Sequence, residues 1–352
     1  MATLGASHSF RIESSKTARR DGKTSRARRT LVTMLELRAD PWAATYGQGA
    51  EIPLGDQLEQ PVADPTVETG DWSRPLEPHA EATAPVMFVD GVMRTDLHVL
   101  ARDGDARAWG LFGSFAAGAV QCDGAARFAA EDEPVGRALI LGGRMTGQPV
   151  TLEIGGCTLS YEPRTIADDD PQAHRRALQR LMIEAEQRLA ARLGADCMVF
   201  ADGPLHLNSG ADALVVGVVK RMVASYLGPE QASLLPLLQP GQRTPLIALG
   251  NTVLDRLSWY VRLMPSEPLW HELAGLVRCD VRMELGLERA VAIADRVAGT
   301  LPRFAGRPGV DPRAPQNLTP VGALEGRLKG RLGHAGIVRR ALESRLMQDL
   351  VA

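Results

Sequence analysis

The chain has 352 residues, 45% apolar and 23% charged, with a formal net charge of −2. That is the balance of a globular protein with room for a sizeable core. No apolar stretch approaches the 18 or more residues of a membrane span, and the near-neutral charge gives no global argument for a polyanionic partner. The four cysteines, at 122, 157, 197 and 279, are widely spaced with no CxxC pair, which argues against a zinc site. Free thiols and the lack of an apolar leader at the N-terminus lead to the expectation of a cytoplasmic protein.

In chain order, residues 1–33 are polar and basic, with Arg11, Lys16, Arg19, Arg20, Lys23, Arg26, Arg28 and Arg29. They are expected to be a disordered extension. Residues 34–83 hold Trp42, Tyr46 and Trp72 among Pro and Gly. They are expected to be an irregular segment packed on the core or in a dimer contact. The compact domain is expected over 84–352. Val86–Val89 predicts a buried strand that stops at Asp90-Gly91. Residues 97–101, 108–119, 138–141, 150–154 and 158–161 read as further strands of an antiparallel meander. The acidic run Asp168-Asp169-Asp170 followed by Pro171 opens a helix that extends to Leu193. Leu178, Met182, Ala185, Leu189 and Leu193 line one face of it, and Gly194 is expected as a left-handed cap. A second buried strand over 197–201 ends in Asp202-Gly203. An apolar segment at 213–227 is broken by Lys220, Ser258–Leu263 is a strand, Glu284–Thr300 is a helix, and one or two helices close the chain over 321–351.

The paired Asp-Gly strand ends carry the chemistry. Each run is four or five apolar residues long and delivers one carboxylate where a strand is expected to leave a sheet. Strands, then a helix, then a strand with a second Asp is the order of an RNase H-like core: α/β, a mixed sheet flanked by helices. Two such carboxylates suit divalent ions with hard oxygen ligands, and paired ions of this kind cleave phosphodiesters. A helix Glu usually completes the set. Glu184 and Glu186 lie about 100° to either side of Ala185, so helical geometry leaves the choice between them open. Lys220 closes a buried run and is a candidate grip on a phosphate oxygen. Tyr260 and Arg262 share one face of their strand and are candidate nucleic-acid contacts. There is no P-loop, G-x-S-x-G or G-x-G-x-x-G after a strand, so nucleotide hydrolysis and serine-hydrolase chemistry are not indicated.

These residues resemble the NurA-domain nucleases. The likeness rests on Phe88-Val89-Asp90-Gly91, on Phe200 to Leu205, on Val216 to Lys220, on Trp259 to Arg262, and on Pro315 to Glu325. It covers roughly residues 84–345. It implies an RNase H-like dimer with a central channel that cleaves DNA with Mn²⁺ (or Mg²⁺) in DNA-end processing for double-strand break repair. It also implies a HerA-type hexameric ATPase as partner. Carried over motif by motif, Asp90, Glu184 and Asp202 are the expected metal ligands, with Lys220 at the phosphate. Spacing before the second Asp within the family favours Glu184 over Glu186. Many members end with a Tyr and a His in the Pro-rich stretch. Here Asn317-Leu318-Thr319-Pro320 stands there instead, which leaves Glu325 as an accessory candidate. The alternative implied by that departure is a catalytically weakened subunit that binds DNA and a partner ATPase as scaffold or regulator.

Overall fold

The computed structural model describes residues 9–14, 33–39, 62–77, 85–129, 134–205, 213–220, 226–250, 255–265, 271–311 and 314–351. The described strands join in one mixed 14-stranded sheet. In chain order they are β1 (Ser9–Ser14), β2 (Thr33–Ala39), β3 (Val62–Asp64), β4 (Val86–Asp103), β5 (Ala106–Asp123), β6 (Ala125–Phe128), β7 (Gly136–Leu141), β8 (Val150–Ile154) and β9 (Cys157–Thr165). After helix α1 (Pro171–Leu193) come β10 (Met198–Asp202), β11 (Val215–Val219), α2 (Pro229–Ala232), β12 (Ile247–Gly250), β13 (Arg256–Arg262) and β14 (Leu276–Arg282). Helices α3 (Leu287–Thr300), α4 (Thr319–Arg331) and α5 (Ala335–Val351) end the chain.

The middle of the sheet runs β7-β5-β4-β10-β11. Strand β5 is antiparallel to both β7 and β4, while β10 lies parallel to β4 and β11 parallel to β10. This follows from the sequence. Met198-Val199-Phe200-Ala201 is apolar on both faces, as a parallel strand covered on both sides must be. One face packs Met87, Val89, Val199, Ala201 and Val215 against Ala185, Leu189, Ala190 and Leu193 of α1. The other packs Val86, Phe88, Met198, Phe200, Val216 and Val218 against α3 and α4. Helix α1 starts as expected. Asp170 caps it by accepting from the Ala173 N–H at 2.8 Å, and Pro171 takes the first turn.

Several expectations are corrected. The first strand does not stop at Asp90-Gly91. It continues through Gly91, paired with Ala117, and merges with the expected 97–101 strand into the 18-residue β4. An Asp-Gly pair needs no turn when an antiparallel partner holds it extended. The irregularity falls instead between Thr95 and Leu97. At Asp202-Gly203 the strand does end, and Gly203 takes φ +87°. Gly194 is right-handed (φ −67°, ψ −10°), and its N–H donates to the Ala190 carbonyl, so no left-handed cap forms. Strand β14 carries Arg278, Asp280 and Arg282 at every second position, a charged alternation that hides from the sequence a strand buried along its whole length.

Within the 1–33 stretch expected to lack structure, β1 pairs antiparallel with β2 from Ser9–Arg38 to Ser14–Thr33. Trp72 is buried beside Leu234, Leu235 and Ile247, and its indole N–H donates to the Pro65 carbonyl. Trp42 and Tyr46 lie outside the described residues. The apolar positions of the closing helix are used within the chain: Val338, Leu342 and Leu346 of α5 pack on Leu35, Leu37, Val99 and Leu152. No described helix is long and apolar enough to cross a membrane.

Candidate active site

Period-two alternation builds the site. On the α3/α4 face, Val86 and Phe88 are followed two residues on by Asp90, Met198 and Phe200 by Asp202, and Val216 and Val218 by Lys220. Register aligns them. Phe200 pairs with Phe88 and Ala201 with Val89, so Asp202 stands one step on, level with Asp90, and Asp202 pairs in turn with Val218. Three neighbouring strands thus bring two carboxylates and one ammonium together on one face of the sheet, where β10 and β11 end and β4 runs on. The Lys220 Nζ lies 2.8 Å from Asp202 Oδ1. It also donates to Asn317 Oδ1 at 3.3 Å. Asn317 is buried and its amide N–H donates to Asp311 Oδ2, so the loop before α4 fixes the lysine head.

A further carboxylate comes from α1. Glu186 is buried, whereas Glu184 is half exposed and pairs with Arg188 one turn along. The expected placement of Glu184 is therefore corrected: Glu186, not Glu184, is the α1 carboxylate close enough to Asp90 and Asp202 to feel both charges. The reason lies at Gly91. A Cβ there would stand 2.9 Å from Met182 Cγ and 3.3 Å from Glu186 Oε2, so the missing side chain is the space the Glu186 carboxylate uses. Burial pushes the Glu186 carboxyl well above its ordinary value. The charges of Asp90 and Asp202 push it further, against a smaller pull from Lys220 and the Asp202 backbone N–H. Burial likewise raises Asp90, helped by Asp202 and Glu325 and opposed by Lys220. Asp90 Oδ2 is buried with no hydrogen-bond partner. The site is open on the Asp202 side, where that side chain is 32% exposed.

Glu325 of α4 is near enough to act on Asp90 and pairs with Lys329 at 3.1 Å. The far end of α4 is tied to the sheet. Arg94 donates to the Leu332 and Gly333 carbonyls and, at 2.7 Å, to Asp96; Arg137 also donates to Leu332. Asp96 is buried at the β4 irregularity and accepts from Ser114 and from Tyr161, the latter at 2.8 Å.

Tyr260 and Arg262 are not at this site, and the expectation that they contact nucleic acid is corrected. Both are buried on the α1 side of β13. The Arg262 guanidinium donates to the carbonyls of Leu235, Leu238, Glu272 and Ala274. Burial pushes the Tyr260 hydroxyl up to about 12. An alternating strand reads the same whether its polar face meets solvent or a loop. Asn317 and Asp311 were missed as site residues. The only signal was a polar pair inside an otherwise Pro-rich approach to a helix.

The donor set is made of hard carboxylate oxygens, one of them unpartnered, which fits a divalent ion in type. Among the described residues, no group of three or more His, Cys, Asp or Glu side chains is arranged to hold a metal as it stands. Neither a scan against protein-family models nor a comparison with curated proteins finds a match for this chain.

Proposed function

We propose that the chain is a metal-dependent DNA nuclease with an RNase H-like core, acting in DNA-end processing. One observation carries this reading. Asp90 of β4, Asp202 at the end of β10 and Glu186 of α1 lie close enough to act on one another, two of them buried, and the strand order and directions around them (β7-β5-β4-β10-β11, the last two parallel to β4) agree with what is expected of such a core. Like charges are not collected in a protein interior without a cation to answer them, and perturbed carboxylates of this kind mark functional sites. The likeness to NurA-domain nucleases in the motifs around Asp90, Asp202 and Lys220 supports the same reading. With it come a homodimer and a HerA-type ATPase as partner, since the chain lacks a P-loop of its own.

Asp90, Asp202 and Glu186 are the residues that would hold Mn²⁺ or Mg²⁺. A bound ion there supplies Lewis acidity toward the phosphoryl oxygens. The chain supplies the rest. Lys220, held between Asp202 and Asn317, presents a point charge to a phosphate oxygen as negative charge grows on it. The half-exposed Asp202 side is the approach for substrate, and the buried Asp90 side excludes water. The deciding experiment is cleavage of end-labelled single- and double-stranded DNA in Mn²⁺, Mg²⁺ or EDTA. Metal-dependent cutting that Asp90→Asn removes is the expected result; cutting that survives in Asp90→Asn overturns the assignment.

A second reading is a scaffold subunit that binds DNA and an ATPase without cutting. It is favoured by Asn317 standing where family members carry Tyr and His, and by Lys220 already neutralising Asp202. No cutting by the chain, alone or with a partner ATPase, would select it.

A further inference from the structure

The row of aromatics behind the carboxylates does not end in the core. Phe200 stacks on Phe88 with centroids 5.2 Å apart, and Phe304 meets Phe88 edge-on at 4.8 Å. Phe88 pairs with Val120 across β4 and β5, and Val120 pairs with Phe128 across β5 and β6. Directly paired residues project on the same side of a sheet, so Phe128 lies on the Asp90 face. Strand spacing of about 4.8 Å and a rise of about 3.4 Å per residue put Phe128 about 12 Å from Asp90. There the ring is 42% exposed, on a strand whose four residues are all exposed. Arg327 of α4 holds its guanidinium 4.5 Å from the centre of that ring, two residues beyond the Glu325 that acts on Asp90.

We infer that Phe128 and Arg327 form a stacking platform that holds an unpaired base, so the substrate of the carboxylate site is a single-stranded nucleic-acid segment or end. The inference rests on reading that site as a phosphodiester-cleaving centre. An exposed ring backed by a guanidinium gives a base a flat apolar surface and its phosphate a positive neighbour. A base buried in a duplex has no free face to offer it. The distance from Asp90 is within the reach of a few nucleotides, so a strand stacked on Phe128 can lay its backbone across α4 to the open Asp202 side.

The test measures binding without divalent ions, apart from cleavage. A labelled oligothymidylate and a duplex of equal length are titrated into the full chain, its Phe128→Leu variant and its Phe128→Trp variant. The expected result is about a tenfold weaker single-strand affinity for Phe128→Leu. Phe128→Trp should retain it, and duplex affinity should be equal for all three. A single abasic position scanned along the oligomer should reproduce the loss at one site only. Equal affinity of Phe128→Leu and the unaltered chain for oligothymidylate overturns the platform, as does failure of the unaltered chain to bind it. If the chain binds and Phe128→Leu loses affinity while no metal supports cutting, the platform stands and the nuclease reading falls.

Discussion

Two stretches of one sheet carry buried charge and treat it in opposite ways. On β13 and β14, Ser258, Arg262, Arg278 and Asp280 occupy alternate positions of the α1-side face. Asp280 accepts from Ser258 at 2.7 Å and from Arg278 at 3.0 and 3.1 Å, while Arg262 donates to backbone carbonyls. Where β4 runs beside the end of β10, by contrast, Asp90 and, from α1, Glu186 are buried beside further carboxylates. One Asp90 oxygen has no partner, and both groups are pushed toward their neutral forms. Buried charge that is answered within the chain is architecture. Buried carboxylates answered only in part, by Lys220, are the pattern that marks functional sites.

Breaking each side of this contrast gives different readouts. Asp90→Ala should reduce metal-dependent cleavage about 10⁴-fold or more while the fold survives, as measured by cleavage and circular dichroism. Asp280→Ala should do the reverse. It removes the partner of Arg278 and should cost about 3–5 kcal/mol in denaturant unfolding, with cleavage per folded molecule unchanged. Gly91→Ala drives a Cβ against Met182 and the Glu186 carboxylate, and should slow cleavage about 10²-fold with little change in substrate affinity.

The pH dependence of stability sharpens the same contrast. The Asp90 and Glu186 carboxyls lie above their ordinary values of 3.8 and 4.5 in the folded chain. Their contribution is therefore most favourable below those values and is lost as pH rises through the raised folded values. Without divalent ions, Asp90→Asn should raise stability near neutral pH by roughly 1–3 kcal/mol and leave it unchanged near pH 3. Parallel melting curves of variant and parent at the two pH values check this. The smallest effect belongs to Glu184→Gln, which should change stability by no more than about 0.5 kcal/mol and cleavage not at all.

The central strands, α1 with its Asp170 cap, and both aspartates were legible because each obeys a local rule: a short apolar run, an acidic start before Pro, a polar residue closing an apolar run, which ends the strand at Asp202 but not at Asp90. What escaped depends on contacts far apart in sequence. Glu186 and Glu184 are equivalent on a helical wheel, and only the missing side chain of Gly91, on another element, separates them. Tyr260 and Arg262 alternate as an exposed strand would, and only the loops around Leu235 and Ala274 bury them. Gly91 itself reads as a turn until β5 is placed beside it.

Those long separations have a consequence for how the chain folds. Strands β4 and β5 are joined through Gly104 and can pair early as a local hairpin that already carries Asp90. Asp202 arrives from 112 positions downstream, and Asn317 from another 115. Closing such loops costs entropy that the local hairpin does not, so the parallel insertion of β10 and the docking of α4 are expected to follow the hairpin. If the carboxylates meet only after the barrier, Asp90→Asn should leave the refolding rate nearly unchanged and lengthen the lifetime of the native state; if they meet in it, refolding should quicken, and the two limbs of a chevron tell these apart.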